Sequence, residues 1–339
     1  MPAEWEPHSA TWVAWPSHAN LWGEEDLALV QEEFTQLCRA IASAPAGKTG
    51  ERLKILFTEN RGEEARRAFA GVAADFYDIG FGDIWLRDTA PIFLTSQNAL
   101  AAGVFQFNGW GGKYDLPHDT TVGKNIAEAS GVRRLEFPWI LEGGSIEVDG
   151  QGTCLTTEQC LLNPNRNEGL EKADIENKLR HALGVEKILW LREGLLNDHT
   201  DGHIDTLARF IAPGEVVCMR SSAVDDPNAA VLAEIQKDLE AMTDARGRKL
   251  RVHTIPSPGR VVDEDRILPA SYVNFYIANH TVVVPTYGVP TDTEAVRELA
   301  PLFPTRRVVG VSARVLLRGG GAFHCITQQQ PQTGVSHGK

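Results

Sequence analysis

A cysteine late in the sequence is the residue whose surroundings most strongly suggest chemistry. Cys325 follows the run "GGGAFH", and each glycine costs roughly 0.5–1 kcal/mol relative to alanine in regular structure. Such a run is expected where the backbone needs unusual dihedral angles or where another group approaches it closely. Cys325 is therefore either a buried small apolar residue or a nucleophile.

The segment "GHIDTLARF" holds a second candidate pair. In an extended segment alternate side chains share a face, so we expect His203 and Asp205 to point the same way. They could serve as an acid/base with its carboxylate, as two metal ligands, or as two solvated polar residues at the start of a strand. In a strand, His324 would face away from Cys325, which favours a packed or capped histidine. His203 is the better partner for the thiol.

Two further carboxylates stand in glycine-rich or apolar surroundings. Asp88 lies in "WLRDTAP" and Glu142 in "LEGGS". Either one alone could be a cap or half of a surface salt bridge, which stabilises little. Together with Asp205 they would form an anionic site beside a cysteine and a histidine. Because a planar guanidinium pairs bidentately with carboxylates, the combination predicts a small cationic guanidine as ligand.

These polar residues recur at similar intervals. Asp88 and Glu142 are 54 residues apart, Glu142 and His203 are 61 apart, and His203 and Cys325 are 122 apart, which is twice 61. A unit of roughly 60 residues, repeated about five times, would produce this spacing. The remaining site would then fall near residue 264, in the acidic segment "GRVVDEDRILP".

Helix-period and strand patterns alternate along the chain, which is typical of an α/β fold. The strand patterns are "LKILFT", "GVFQFN", "KILWLR", "RFIAPGEVVCMR", "NFYIANHTVVVPTYG" and "RRVVGVSARVLL". Helices are predicted at 24–44, 62–74, 121–131, 170–183, 228–244 and 291–302. No low-complexity linker divides the chain, so we expect one catalytic domain over 1–331 and a flexible tail over 332–339.

Composition narrows the function classes. The 339 residues carry a net charge of −12, which argues against a nucleic-acid partner and is compatible with steering a cation. No run of 18 apolar residues and no secretory signal is present, so we expect no membrane partner. Five cysteines without a disulfide-like spacing predict a reduced, cytoplasmic protein. Neither nucleotide-binding glycine motif occurs. Four cysteines are interpreted as buried apolar residues: Cys38, Cys154, Cys160 and Cys218.

Taken together, the motifs resemble the agmatine deiminase and Porphyromonas-type peptidylarginine deiminase family, within the guanidino-group-modifying (pentein) superfamily. The resemblance covers nearly the whole chain and rests on these runs: "MPAEWEPHSATWVAWP", "DIWLRDTAP", "FNGWGGKY", "LEGGSIEVDGQGTCLTTEQCLLNPNRN", "NDHTDGHIDTLARF", "PASYVNFYIAN", "VVVPTYGVPTD" and "GGGAFHCITQQQP". It implies a five-bladed α/β propeller of pseudo-fivefold ββαβ units around a central site. The implied site residues are Cys325 as nucleophile, His203 as general acid/base, Asp88 and Asp205 as guanidinium-binding carboxylates, and Glu142 as a further acid.

The implied activity is hydrolytic deimination of agmatine to N-carbamoylputrescine and ammonia through an amidino-cysteine intermediate, a step of putrescine and polyamine biosynthesis. It needs no metal and no organic cofactor, and a homo-oligomer is usual for the family. We expect Trp85, Trp110 and Gly321 to line the substrate pocket, although a packed core position is equally compatible with Trp110.

Some positions depart from the family pattern and leave the substrate open. Gly82 and Ala90 replace Asn and Gly of the first motif, and Ala322 and Phe323 replace Asn-Ile before the His-Cys pair. Deimination of arginine or peptidyl-arginine to citrulline is therefore the alternative within the family. A metal-dependent hydrolase built on His203 and Asp205 is the alternative from another class, and an inactive propeller used as a binding scaffold is a third.

Overall fold

The protein is described here from a computed structural model, which covers residues 1–96 and 99–333. Most of the predicted tail, from 334 onward, lies outside the described residues. Within the described ranges, no helix has both the length and the apolar character needed to cross a membrane.

The longer helices lie where the sequence pattern predicts them, and most end a few residues early. In α2, for example, the buried side chains of Leu27, Val30, Phe34, Leu37 and Ile41 recur every three or four residues and form one apolar stripe. The helices are α1 Ala19–Trp22, α2 Glu24–Ile41, α3 Gly62–Ala68, α4 Leu86–Thr89, α5 Gly109–Gly112, α6 Asp119–Ala129, α7 Glu158–Leu161, α8 Lys172–Leu183, α9 Ala229–Ala241 and α10 Asp292–Leu299.

Short strands separate these helices along the whole described chain, and most are five to eight residues long. They are β1 His8–Ala14, β2 Leu53–Phe57, β3 Ala74–Asp78, β4 Ile92–Ser96, β5 Ala99–Gln106, β6 Arg133–Ile140, β7 Glu147–Val148, β8 Thr153–Thr157, β9 Lys187–Leu191, β10 Ala208–Ala212, β11 Glu215–Arg220, β12 Arg251–Pro256, β13 Val262–Asp263, β14 Arg266–Ile267, β15 Tyr276–Ile277, β16 Thr281–Thr286, β17 Arg307–Ser312 and β18 Gln328–Pro331.

Five sheets of the described chain share one connectivity. In each, an antiparallel pair is extended by a third strand parallel to the second, and a helix makes the crossover that parallel pairing requires. The sheet orders are β4-β5-β6, β7-β8-β9, β10-β11-β12, β15-β16-β17 and β18-β1-β2-β3. The last sheet joins the two ends of the sequence, since β18 pairs antiparallel with β1. The separate hairpin β13–β14 stands between the third and fourth of these sheets.

The helices cover the sheets with their apolar faces. Short turns precede the first strand of several sheets. Two of these are 3₁₀ turns, Gly143–Ser145 before β7 and Ile204–Thr206 before β10. Aromatic side chains such as Trp12, Phe210 and Phe323 are fully buried in the larger apolar cluster that supports these turns.

Candidate active site

The candidate functional side chains share one place in the fold, the turn that precedes the first strand of a sheet. These positions are Asp88 in α4 before β4, Glu142 at the turn before β7, His203 and Asp205 at the turn before β10, and Cys325 in the turn before β18. The recurrence seen in the sequence therefore corresponds to a structural position. Because equivalent turns lie together, residues far apart in sequence meet at one site.

The remaining unit contributes a residue that the spacing did not predict. The prediction near 264 was wrong, because the turn before β15 carries Asn274, ten residues later, and the hairpin β13–β14 accounts for the displacement. The Asn274 Nδ2 donates to Cys325 Sγ at 3.3 Å. Asp263 and Glu264 instead line the mouth of the cavity described below. An asparagine in an apolar run gives no signal of this kind in a single sequence.

The local geometry of His203 and Asp205 also differs from the prediction. The segment is a 3₁₀ turn rather than an extended strand, so the two side chains do not pair. The His203 ring lies between two other carboxylates, with Nδ1 3.7 Å from Asp88 Oδ1 and Nε2 3.5 Å from Glu142 Oε2. Asp205 Oδ2 instead lies 3.6 Å from Cys325 Sγ. The imidazole is thus flanked by Asp88 and Glu142, and the thiol lies beside a different carboxylate, that of Asp205.

Gly144 allows this convergence. A Cβ at that position would lie 2.5 Å from His203 Nδ1, 2.9 Å from Asp88 Oδ1 and 3.1 Å from Asp205 Oδ2. Its amide donates to Asp88 Oδ1 at 2.9 Å. The glycine therefore lets the imidazole and two carboxylates pack directly against the backbone.

Glu142 is held by an arginine that the sequence analysis did not single out. The Arg166 Nε donates to both carboxylate oxygens of Glu142, at 2.8 and 3.0 Å, and neither side chain is exposed. Burial raises the pKa of Glu142, but His203 and Arg166 outweigh it, so the pKa is lowered. Cys160 is buried as predicted, yet its sulfur lies 3.8 Å from Glu142 Oε2 and so belongs to the site.

The charges of the surrounding side chains favour a protonated imidazole and a neutral thiol. Burial alone would lower the pKa of His203, but Asp88, Cys160 and Glu142 raise it well above its usual value. Burial raises the pKa of Cys325 well above its usual value, and Asp205 and Asp88 raise it further. Burial likewise raises the pKa of Asp88. A cation bound in the site would favour the ionised forms of Asp88 and Cys325, because a nearby positive charge lowers the pKa of an acid.

A cavity of about 510 Å³ opens onto this group of residues. Cys325 and Asp88 line it, together with the three predicted pocket residues Trp85, Trp110 and Gly321. His203, Asp205 and Glu142 lie behind these residues and do not line the cavity. The Trp110 Nε1 donates to Asp88 Oδ2 at 2.9 Å, so the indole fixes the carboxylate as well as forming a wall.

The triple glycine brings the thiol close to an aromatic ring. A Cβ at Gly321 would lie 2.7 Å from the Trp85 ring and 3.0 Å from Cys325 Sγ. The Trp85 ring is fixed in turn by Asp83, which accepts hydrogen bonds from the indoles of Trp22 (3.1 Å) and Trp85 (2.9 Å). Burial raises the pKa of this carboxyl to about 6.

Comparison with known proteins identifies the family. The model of the Porphyromonas-type peptidyl-arginine deiminase family matches residues 1–331. The chain belongs to this family. It is 40% identical over 356 residues to an agmatine deiminase of Stutzerimonas stutzeri, which covers 98% of this chain and 95% of that protein.

Two solved structures extend the family likeness to the whole fold. An agmatine deiminase of Enterococcus faecalis superimposes with a TM-score of 0.92 and 35% identity over 98% of this chain and 95% of that one. A cysteine-to-serine variant of the C. jejuni agmatine deiminase, solved with substrate bound, has a TM-score of 0.88 and 28% identity over 98% and 96% of the two chains.

Proposed function

We propose that this chain hydrolyses the guanidinium of agmatine, giving N-carbamoylputrescine and ammonia. The observation that carries the proposal is a nucleophile and carboxylates at one cavity: Cys325 and Asp88 line it together, and Asp205 Oδ2 is 3.6 Å from the sulfur. A flat cation fits between these oxygens, since a guanidinium offers a planar fork of N–H donors. The agmatine deiminases to which the chain is similar over nearly its full length support the choice of substrate.

In the first half-reaction the bound cation favours ionisation of Cys325, whose proton passes to water in the cavity that the thiol lines, and the thiolate adds to the guanidinium carbon. The adduct is neutral. His203, whose pKa the neighbouring carboxylates raise, gives its proton to the departing nitrogen. The C–N bond breaks, ammonia leaves, and a cationic amidino-thioether remains on the sulfur. Asp88 and Asp205 hold the carbon about 3–3.5 Å from the sulfur, which removes much of the entropic barrier.

In the second half-reaction the neutral His203 accepts a proton from water, and the resulting hydroxide adds to the same carbon. Collapse of this adduct breaks the C–S bond and returns the thiolate, and the protonated urea gives its proton to that thiolate, which restores the Cys325 thiol. Glu142, held by Arg166, lies 3.5 Å from His203 Nε2 and stabilises the charged imidazole in both steps. Trp85, Trp110 and Gly321 form the walls around the substrate.

The test measures ammonia release from agmatine, arginine and N-acetyl-arginine amide, with product masses. Agmatine should be the preferred substrate, and EDTA should not change the rate. Cys325→Ala should lower kcat by about 10⁴-fold or more, whereas Cys218→Ala, at a buried cysteine outside the site, should stay close to the parent enzyme. Full activity of Cys325→Ala would exclude the mechanism, and preference for either arginine compound would select the citrulline-forming alternative.

The metal-dependent hydrolase has one observation in its favour. Ligand atoms of Glu142, Cys160 and His203 all lie within 4.8 Å of one another. A carboxylate, a thiol and an imidazole can bind zinc, but these residues do not fit a cation well. Arg166 already donates to both oxygens of Glu142. Burial raises the pKa of Cys160, and the Glu142 charge raises it further, so the thiolate that zinc needs is disfavoured. Stoichiometric metal in the purified protein, with activity lost on chelation, would support this alternative.

The overall architecture, the cellular compartment and the partners of the protein are also proposed. We infer that the five sheets surround a central axis as the blades of a propeller, which their shared connectivity supports. The five free cysteines fit a reducing cytoplasm. The net charge of −12 argues against nucleic acid as a partner. Association into a homo-oligomer is tested by light scattering on the purified protein.

A further inference from the structure

A carboxylate from the first turn of the chain lies beneath the site. Glu4 is 6% exposed, and its Oε2 lies 2.8 Å from His324 Nε2 and 3.2 Å from Arg87 Nη2. Its Oε1 lies 2.9 Å from Arg209 Nη2 and accepts the Ile277 amide at 2.9 Å. A buried carboxylate held this firmly fixes whatever it binds, and one of its partners is the neighbour of the nucleophile.

His324 connects this carboxylate to the substrate-binding one. Its Nδ1 lies 2.7 Å from Asp205 Oδ2, while its Nε2 faces Glu4. Burial opposes ionisation of both acids, but Arg209 and His324 lower the pKa of Glu4, and the His324 hydrogen bond lowers that of Asp205. Ionised carboxylates only accept hydrogen bonds, so a ring nitrogen that faces one of them is placed as a donor.

The two carboxylate oxygens of Asp205 have different surroundings because His324 binds only one of them. Oδ2 is engaged by His324 and lies 3.6 Å from Cys325 Sγ. Oδ1 is buried and has no hydrogen-bond partner within the described chain. An unpartnered buried acceptor is costly, and an N–H of the substrate would remove that cost. The His324 hydrogen bond to Oδ2 also draws on the lone pairs of the oxygen that lies beside the thiol, and so weakens the repulsion that Asp205 exerts on a thiolate at Cys325.

We propose that His324, anchored by Glu4, is a positioning residue that turns Asp205 so that Oδ1 receives the guanidinium and Oδ2 stays beside the thiol. This inference rests on the proposed function. It departs from the interpretation of His324 as merely packed or capped. The charged groups that face the ring from the elements packed against it are Glu4, Arg87, Glu147, Asp205 and Arg209.

Two substitutions separate positioning from simple structural support. In His324→Asn the amide nitrogen can take the place of Nδ1 and still donate to Asp205. In His324→Gln it reaches the place of Nε2 and can bond only to Glu4. Positioning predicts that the Gln variant loses about tenfold or more in kcat/KM relative to the Asn variant, mainly through KM for agmatine, which is the scale of a hydrogen bond to a charged group. Structural support alone predicts the reverse order, since the Gln variant keeps the anchor.

A second readout does not depend on turnover. Alkylation of Cys325 by iodoacetamide, followed by peptide mass spectrometry against pH, should have a higher midpoint in His324→Gln than in His324→Asn. If the parent protein does not deiminate agmatine, the proposed function fails while the alkylation order still decides this inference. Equal kcat/KM and equal midpoints for the two variants would overturn it. Should either variant not fold, Glu4→Gln replaces it, with a raised KM expected and an unchanged KM contrary to the proposal.

Discussion

Replacing Gly144 by alanine tests whether the imidazole and the carboxylates are positioned as tightly as the structure indicates. The new Cβ would lie 2.5 Å from His203 Nδ1, whereas ordinary van der Waals contacts begin near 3.4 Å. The backbone at Gly144 is not in the left-handed region, so alanine adds no backbone strain. The amide that binds Asp88 is retained. The substitution therefore acts through the side chains that surround the glycine.

The size of the effect follows from the displacement. Relief of the overlap requires a shift of about 0.9 Å between the new methyl group and the imidazole. A misplacement of about 1 Å can cost on the order of 100-fold in rate, which corresponds to about 2.7 kcal/mol of transition-state stabilisation. We expect kcat/KM for agmatine to fall by about this factor, mostly through kcat, because His203 acts on the departing nitrogen.

The assay is steady-state ammonia release, with thermal unfolding measured in parallel. Gly103→Ala is the matched control, since its Cβ would meet Ile92 O at 3.2 Å and the Phe137 ring at 3.3 Å, within a sheet and away from the site. The control should keep its kcat/KM within about twofold. If Gly144→Ala were as active as Gly103→Ala while both proteins were folded, the inferred confinement of His203 would be refuted.

Two further predictions concern pH. Trp110→Phe removes the donor to Asp88 Oδ2, so the already raised pKa of Asp88 should rise further. The acid limb of the kcat/KM profile against pH should then move to higher pH. An acid limb at the same pH as in the parent enzyme would contradict this role of Trp110. Burial raises the pKa of Asp119 from 3.8 to about 7, so its contribution to stability is fully present below pH 3.8 and is lost as pH rises through 7. Asp119→Asn lacks this loss, so its free energy of unfolding in urea should rise relative to that of the parent protein between pH 5 and 8.5, by at most about 3 kcal/mol. A constant difference would show that the carboxyl does not titrate there.

The sequence predicted the six longer helices and the motifs that carry the family resemblance, but not the four-residue helices α1, α4, α5 and α7. Apolar spacing locates α2 and α9 because a helix that packs on a sheet must bury one stripe. The motif around Asp88 and the glycine run before Cys325 single out these two residues as site candidates, and both line the same cavity. The position of these residues in equivalent turns then follows from repeated connectivity.

Long-range partners could not be predicted in the same way. The contact of Asn274 with Cys325 joins separate units, and that of Arg166 with Glu142 joins a loop to the turn at the start of the same unit. Neither contact has a spacing that local periodicity would reveal. The prediction of an extended segment at His203 was wrong because the residues form a 3₁₀ turn, and the alternation of side-chain faces holds only in strands. Side-chain partners across sheets depend on how units pack, which periodicity within one unit does not encode.

The meeting of the two ends of the sequence has a consequence for folding. Glu4 and His324 are 320 positions apart, and β18 closes onto β1 only when nearly all the intervening chain is in place. Four sheets can form from neighbouring segments, but the last closure carries the largest entropic cost and comes late. During refolding, the far-UV circular dichroism signal should therefore recover before ammonia release does. Catalytic activity would then report the pairing of β18 with β1.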